Sequence, residues 1–427
     1  MPTRFVQRPL RRAVLLAALF PASAMASQGD VTAEQVVGHY ADLAHANFDD
    51  ALGAARTLDE RIDALLDNPS QETLQAARDA WRQARIPYMQ TEVFRFGNPV
   101  VDNWEGQLNA WPLDEGMIDY VKSDDYHHEL GNAGATANII ANQSIQVGGK
   151  KVDVSELTPE LLAGLNEIGG SEANVASGYH AIEFLLWGQD LNGFDAGHGN
   201  RPASDFMSGE DCTHGNCERR GHYLEAASQL LINDLEWMVA QWAPQKKDNY
   251  RQTLLARSPQ EGLRRMLFGM GSLSLGELAG ERMKVALVAN SVEDEHDCFS
   301  DNTHNSHYFN GQGIHNIYTG RYERLDGSTL EGPALADLLT SQNAELAATL
   351  SERLDASMQQ LGEIKNAAEA DESPMYFDMM IAPGNEKGAE LVNSAIASLV
   401  KQTGTIEKAA GALGVDSLQP DDAGHKF

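Results

Sequence analysis

Apolar residues return every three or four positions through most of this chain, a rhythm that fits helices and little else. In the Thr32–Asn68 stretch, TAEQVVGHYADLAHANFDDALGAARTLDERIDALLDN, they recur at helical spacing. The next run, SQETLQAARDAWRQARIPYMQTEVFRF, starts from Ser70 as N-cap, and Pro87 is expected to kink or break it. TPELLAGLNEIGG has Thr158 as cap and Pro159 in the first turn, and GYHAIEFLLWGQD, Gly178 to Asp190, follows as another helix. Further helical runs open near Arg219, Ser258, Gly332 and Asn385. Between them, GNPVVDNWEGQLNAWPLDEG from Gly97 reads as an irregular connection, and residues 192–216 as a Gly- and Asp-rich loop. Residues 291–322 read as a polar, His-rich interruption, and Gly148-Gly149 marks one small β-hairpin. The expected fold is all-α: two helical bundles over 27–191 and 217–427, joined by 192–216. The tripeptide Gly-His-Tyr opens a helix both at Gly38 and at Gly221, a faint sign of duplication.

With 427 residues, 42% of them hydrophobic, the chain can bury a large core. Its first 26 residues are of another kind. Arg4, Arg8, Arg11 and Arg12 precede AVLLAALFPASAMA, which ends in an Ala-x-Ala signature at Ala24 and Ala26. This is the pattern of a secretory signal peptide cleaved near Ala26. The apolar run is too short to span a bilayer, and no later stretch qualifies as a transmembrane segment. Loss of four of the 32 basic residues leaves 28 against 62 acids, a net charge of −34. Such a surface repels nucleic acid and anionic membranes and favours cations. In an oxidising compartment Cys212 and Cys217, in DCTHGNCER, read as a local disulfide; a metal clip would want a second Cys pair, and only Cys298 remains.

His180 and Glu183 stand at i and i+3, so one helical face presents an imidazole and a carboxylate that can ligate one metal. The bare spacing is cheap, because His222 and Glu225 repeat it. What distinguishes the first instance is its apolar flank, Phe184 to Trp187, and Gly178 before it. A His–Glu hydrogen bond inside a bundle explains the pair equally well. Zinc peptidase signatures fail: no HExxH occurs, and HxxEH is broken by Phe184. No GxSxG occurs either. A second cluster, EDEHDCFSDNTH from Glu293 to His304, is dense enough in acids and His to bind a cation. Its plainer reading is a helix end followed by a solvated loop. Glu92 and Arg95 share a helical turn, and Glu277, Glu281 and Arg282 read as salt bridging on an exposed face.

Taken together, GYHAIEFLLWGQD, ARIPYMQTEVFRFGNPVVDNWEGQLNAWPLDEGMIDY, GELAGERM and EHDCFSDNTH resemble the imelysin family, and within it proteins of the iron-regulated protein A type. The resemblance covers nearly all of the chain beyond the leader. It implies an all-helical fold of two bundle-like domains and a GxHxxE motif, here Gly178, His180 and Glu183. It also implies export to the periplasm, or to the periphery of the outer membrane, and a link to bacterial iron uptake. On this reading the chain binds a divalent metal, iron or zinc, through His180 and Glu183, with Glu92 and Asp114 as acids reaching in from the other family segment. Two alternatives stay open. One is an imelysin-type metallopeptidase, with Glu183 as ligand or general base. The other is a module that docks components of an iron or haem uptake system, with Trp104, Trp111 and Tyr120 on its surface.

Overall fold

Thr32 starts the first helix with a capping box: its hydroxyl accepts from the Gln35 amide while the Gln35 side chain accepts from the Thr32 amide. The computed structural model describes Met1 and residues 31–122, 126–128 and 130–424. The leader and its cleavage near Ala26 lie, Met1 apart, outside the described residues. Helix α1 (Ala33–Asp67) packs along α2 (Gln71–Thr91), which Ser70 caps in the same way and which runs through Pro87 without ending there. The stretch after Gly97 is less irregular than its composition suggests. Pro99 takes the first-turn position, where its missing N–H costs nothing, and starts α3 (Pro99–Asn109).

A hairpin follows, β1 (Ser144–Val147) with β2 (Lys150–Asp153), turning on Gly148 and Gly149 at φ +55° and +79°. The short α4 (Pro159–Ala163) leads to α5 (Gly178–Trp187), all ten of whose residues are buried. Helix α6 (Cys217–Trp242) lies against both α1 and α5, and the Cys212–Cys217 disulfide sits at its start. Next come α7 (Tyr250–Leu255) and α8 (Pro259–Ser272). The latter continues as a wider π-type helix over Leu273–Val285 before α9 (Ala286–Ala289).

The polar stretch 291–322 does not simply interrupt the helices. From Thr303 it forms α10 (Thr303–Thr319), packed on α2 with His304, Ser306, His307, Asn310 and Asn316 buried. A second hairpin pairs β3 (Arg321–Glu323) with β4 (Thr329–Glu331). The chain ends in α11 (Leu335–Gln342), α12 (Ala344–Ala368), α13 (Phe377–Ile381) and α14 (Glu386–Ala412). Helix makes up 62% of the described residues, which hold two two-stranded sheets, so the fold is all-α. The larger core gathers side chains from Val36 to Leu418, on both sides of residues 192–216. A smaller one gathers Leu278, Met283, Leu361, Phe377 and Val392 where the π-type segment meets α12, α13 and α14.

One backbone contact sets how closely α5 can dock. Gly178 has φ +80°, and a Cβ on it would stand 2.3 Å from the Leu108 carbonyl oxygen at the end of α3. Both the dihedral and the contact demand glycine. Gly178→Ala is therefore expected to destabilise the fold by about 3 kcal/mol or more. Thermal melting checks this, and an unchanged melting temperature would refute the close approach.

Candidate metal centre

Helix α5 brings His180 and Glu183 to the place where α2 and the start of α10 meet. The Tyr179 carbonyl accepts from the Trp81 indole at 2.9 Å, and Ser177 Oγ donates to the Gln107 carbonyl at 2.9 Å, which pin the start of α5 to its neighbours. His180 Nδ1 lies 3.0 Å from Glu183 Oε2. The other oxygen, Glu183 Oε1, accepts from the Ser300 amide at 3.0 Å and its hydroxyl at 2.6 Å. The second HxxE pair differs in kind: His222 and Glu225 are exposed, beside open depressions of about 460 and 540 Å³.

The cluster that reads as a solvated loop is instead interior. Glu295, His296, Asp297, Asp301 and His304 are each at most 5% exposed. Polarity misleads here because His296 and Asp297 bond to one another and to Arg85. Asp297 Oδ1 accepts from Arg85 Nη2 at 2.7 Å and lies 3.2 Å from His296 Nδ1 and 4.0 Å from His180 Nδ1. Its Oδ2 accepts from Asn302 Nδ2 at 3.1 Å and from the Ser306 hydroxyl. Arg85 also donates to Asn109 Oδ1 at 2.6 Å. The His180 ring packs between His296, with centroids 4.7 Å apart, and Trp111, at 5.0 Å.

Electrostatics follow from this burial. Burial, and then Arg85, hold His180 well below the usual imidazole range; burial and Arg282 do the same for His296. Both rings are thus neutral, the form in which a ring nitrogen can ligate. Burial pushes Asp297 upward, but Arg85 and the hydrogen bond with His296 hold it well below the carboxylate range, so it is an anion. Glu183 is pushed well above its range by burial and then by Asp297, against the two Ser300 donors. Cys298, between these groups in the chain, is buried and its thiol is held protonated by burial and by Glu183.

His180, His296 and Asp297 each offer one ligand atom, and these atoms all lie within 4.8 Å of one another. No other set of three His, Cys, Asp or Glu among the described residues does so. Two nitrogens and one carboxylate oxygen suit iron(II) or zinc. Glu183 Oε2 and Asp297 Oδ1 both face Nδ1 of the His180 ring, at 3.0 and 4.0 Å. The other ring nitrogen of His180, Nε2, is buried with no hydrogen-bond partner and so is free to ligate.

Glu92 and Asp114 are not brought into this set. Glu92 Oε2 accepts from Arg282 Nη2 at 2.7 Å, and Asp114 Oδ2 accepts from Asn132 Nδ2 at 2.5 Å. Arg282 is 4% exposed and also bonds Glu277, so that salt bridging is interior and not on an exposed face. Trp104 is 8% exposed and presents no free surface; Trp111 and Tyr120 are half-buried, and the Tyr120 hydroxyl donates to Asp205. His296, Trp111, Asn109 and Arg282 line a cleft of about 340 Å³ whose walls also carry Glu105, Glu167, Glu172, Glu277, Glu281 and Asp294. The six acids outnumber Arg95 and Arg282 in that wall, and the field favours cations beside His296.

The imelysin family model matches residues 44–406. The chain belongs to the imelysin family. It is 30% identical over 112 residues to iron-regulated protein A of Synechococcus elongatus, a match covering 25% of this chain and 31% of that protein. In fold it is similar to a candidate iron-regulated protein A precursor from Parabacteroides distasonis. The TM-score is 0.61 at 17% identity, over 90% of this chain and 97% of that one. It is also similar to an imelysin-like protein from Psychrobacter arcticum, with TM-score 0.53 at 17% identity, over 90% of this chain and 98% of that one.

In the cleft wall, burial pushes Glu105 up to about 7; Arg95 opposes this and Glu92 and Glu277 add to it. The folded state therefore binds this proton more tightly than the unfolded chain, where the group titrates near 4.5. The resulting stabilisation is complete below about pH 4.5 and is lost as the pH rises through about 7. Glu105→Gln should gain on the wild type across that window, by at most about 3 kcal/mol. Urea melts at about pH 5 and about pH 8 measure it, and an equal difference at both would contradict the assignment.

Proposed function

We propose that this imelysin-family protein binds a divalent transition metal, iron(II) or zinc, at His180, His296 and Asp297, and that it serves metal acquisition at the bacterial envelope. The observation that carries the reading is the mutual approach of these three ligand atoms, within 4.8 Å in a buried position. Glu183 is the positioning group behind His180 in place of a ligand of its own. Its two oxygens are taken up by His180 and Ser300, which favours holding an ion over hydrolysing a peptide, since a general base needs a free oxygen. Export to the periplasm rests on the leader sequence. No helix among the described residues is long and apolar enough to cross a membrane.

Arg85 decides how tightly such a site can hold. Its guanidinium is already 2.7 Å from Asp297 Oδ1 and 3.2 Å from His296 Nδ1. A metal ion entering beside it meets a like charge, so binding is weaker than the donor set alone would give. That suits a protein that takes up an ion and passes it on.

Titration calorimetry of iron(II) and zinc into the wild type, His180→Ala and His296→Ala tests the assignment. Each substitution is expected to weaken binding by about tenfold to a hundredfold or more. Indistinguishable isotherms would sink the site, and chelator-sensitive cleavage of a peptide, lost in Glu183→Gln, would turn the reading toward hydrolysis.

Arg85→Gln leaves Asp297 uncompensated. The metal-free variant is expected to lose about 3–5 kcal/mol of stability and to recover part of it when zinc is added. Chemical denaturation with and without zinc reads both effects, and a variant as stable as the wild type without metal would show that the pair is not needed.

A further inference from the structure

A cleft of about 370 Å³ at the far end of α5 takes no part in the metal reading. Its wall carries Lys122, Arg201 and His214, and no Asp or Glu among the described residues lines it. The chain has 62 acids against 32 Lys and Arg, so a wall of that sign runs against its composition. Short contacts join the groups around it. The Arg201 amide donates to the Trp187 carbonyl at 2.7 Å, and its guanidinium carbon lies 4.9 Å from the centre of the Tyr120 ring. The His214 ring stacks on Tyr120 with centroids 4.7 Å apart. The Lys122 amide donates to Gln189 Oε1 at 2.6 Å, which ties this residue to the segment after α5.

Arg201 is 4% exposed, and its acids reach only one of its nitrogens. Nη1 donates to Asp119 Oδ2 at 2.8 Å and to Asp205 Oδ2 at 3.0 Å, while Nε and Nη2 are buried with no acceptor. Those two nitrogens share the edge of the guanidinium that grips a carboxylate with two parallel bonds. The fold uses that edge elsewhere: Arg85 on Asp297 and Arg220 on Asp119 each donate from Nε and Nη2 to the two oxygens of one acid. Nor do the acids near Arg201 repel a further anion. Burial pushes Asp119 and Asp205 up, but Arg201 and Arg220 hold the first, and Tyr120, His214 and Arg201 the second, below the carboxylate range. Two anions thus face two guanidiniums, and their charges balance. Gly188, in the cleft wall, stands beside the open edge: a Cβ on it would lie 3.8 Å from Arg201 Nε. At φ +72° and without a side chain, its backbone is the part of the wall best able to move.

We propose that this cleft binds a small organic carboxylate, with its two oxygens on the Nε and Nη2 edge of Arg201 and its apolar body against Val121, Leu191 and Pro202. The planar fork of an arginine matches a carboxylate in this way, and a lysine would not. Leu191 is exposed, and a ligand lying over it takes apolar surface out of water. Because the edge of Arg201 is covered, binding includes a small shift of the wall at Gly188. Trp187, in the same wall, adds a second buried donor without an acceptor, Nε1. Helix α5 then carries the metal set on its first two turns and the carboxylate cleft at its last residue, so the two sites are separate.

The test is calorimetric titration of N-acetylleucine into the chelator-treated full chain, beside N-acetylleucinamide, which has the same body and no carboxylate. Chelation removes any metal that could itself hold the acid. The acid is expected to bind with a dissociation constant on the order of 1 mM, and the amide about tenfold more weakly or worse. Arg201→Gln should abolish the difference between the two. That variant disturbs a buried ion-pair network, so a second one keeps the test independent of folding. Asn200→Asp keeps the side-chain shape at an exposed position of the cleft wall and adds a negative charge there. It should melt as the wild type does and bind the acid about threefold or more weakly. Equal heats from acid and amide, no heat from either up to about 10 mM, or an Asn200→Asp isotherm identical to that of the wild type would each overturn the proposal.

Discussion

The ion pair between Arg85 and Asp297 holds together elements that are far apart in the chain. Asp297 lies 212 residues from Arg85, and both side chains are at most 1% exposed. The guanidinium also bonds Asn109 at the end of α3 and packs over the rings of Trp81, Tyr88 and Tyr179. One cation therefore joins α2, α3, α5 and the segment leading into α10. Buried pairs of this kind add little net stability compared with apolar packing, but losing one partner is costly. Their value here is positional. Arg85 keeps Asp297 ionised, adds to the burial that keeps the His180 ring neutral, and leaves His180 and His296 facing one another.

The sequence is informative where apolar periodicity governs and misleading where polar groups pack inward. The all-α class, the hairpin at Gly148-Gly149 and the special setting of His180 and Glu183 are all legible. So is the difference between that pair and His222 with Glu225, because Phe184 to Trp187 signal burial. Helix α10 is not legible in the same way. Its inward face is His304, Ser306, His307 and Asn310, and a rule that equates polar with exposed turns it into a loop. His296 and Asp297 sit in a cluster that the sequence marks as dense, yet nothing local says that it is buried. Only Arg85, more than 200 residues earlier, makes that burial tolerable.

The placement of Glu92 and Asp114 has a related lesson. Acids in irregular stretches are reasonable ligand candidates, but each has a partner that no spacing rule reveals. Glu92 meets Arg282 across 190 residues. Pro99 at a helix start and the Asp326-Gly327 turn of the second hairpin were open to local reading, since both residues have positional preferences of their own. The chain thus divides by the range of the interaction: local chemistry can be read from it, and long-range charge pairing cannot.

The Trp111 ring has a dynamic consequence. It lies against His180 and forms part of the cleft wall, while His180 itself is 1% exposed. On the proposed reading, an ion that passes from the cleft to this imidazole passes beside the indole. The rate at which that one aromatic side chain changes rotamer would then enter the ion's residence time along with the bonds that hold it.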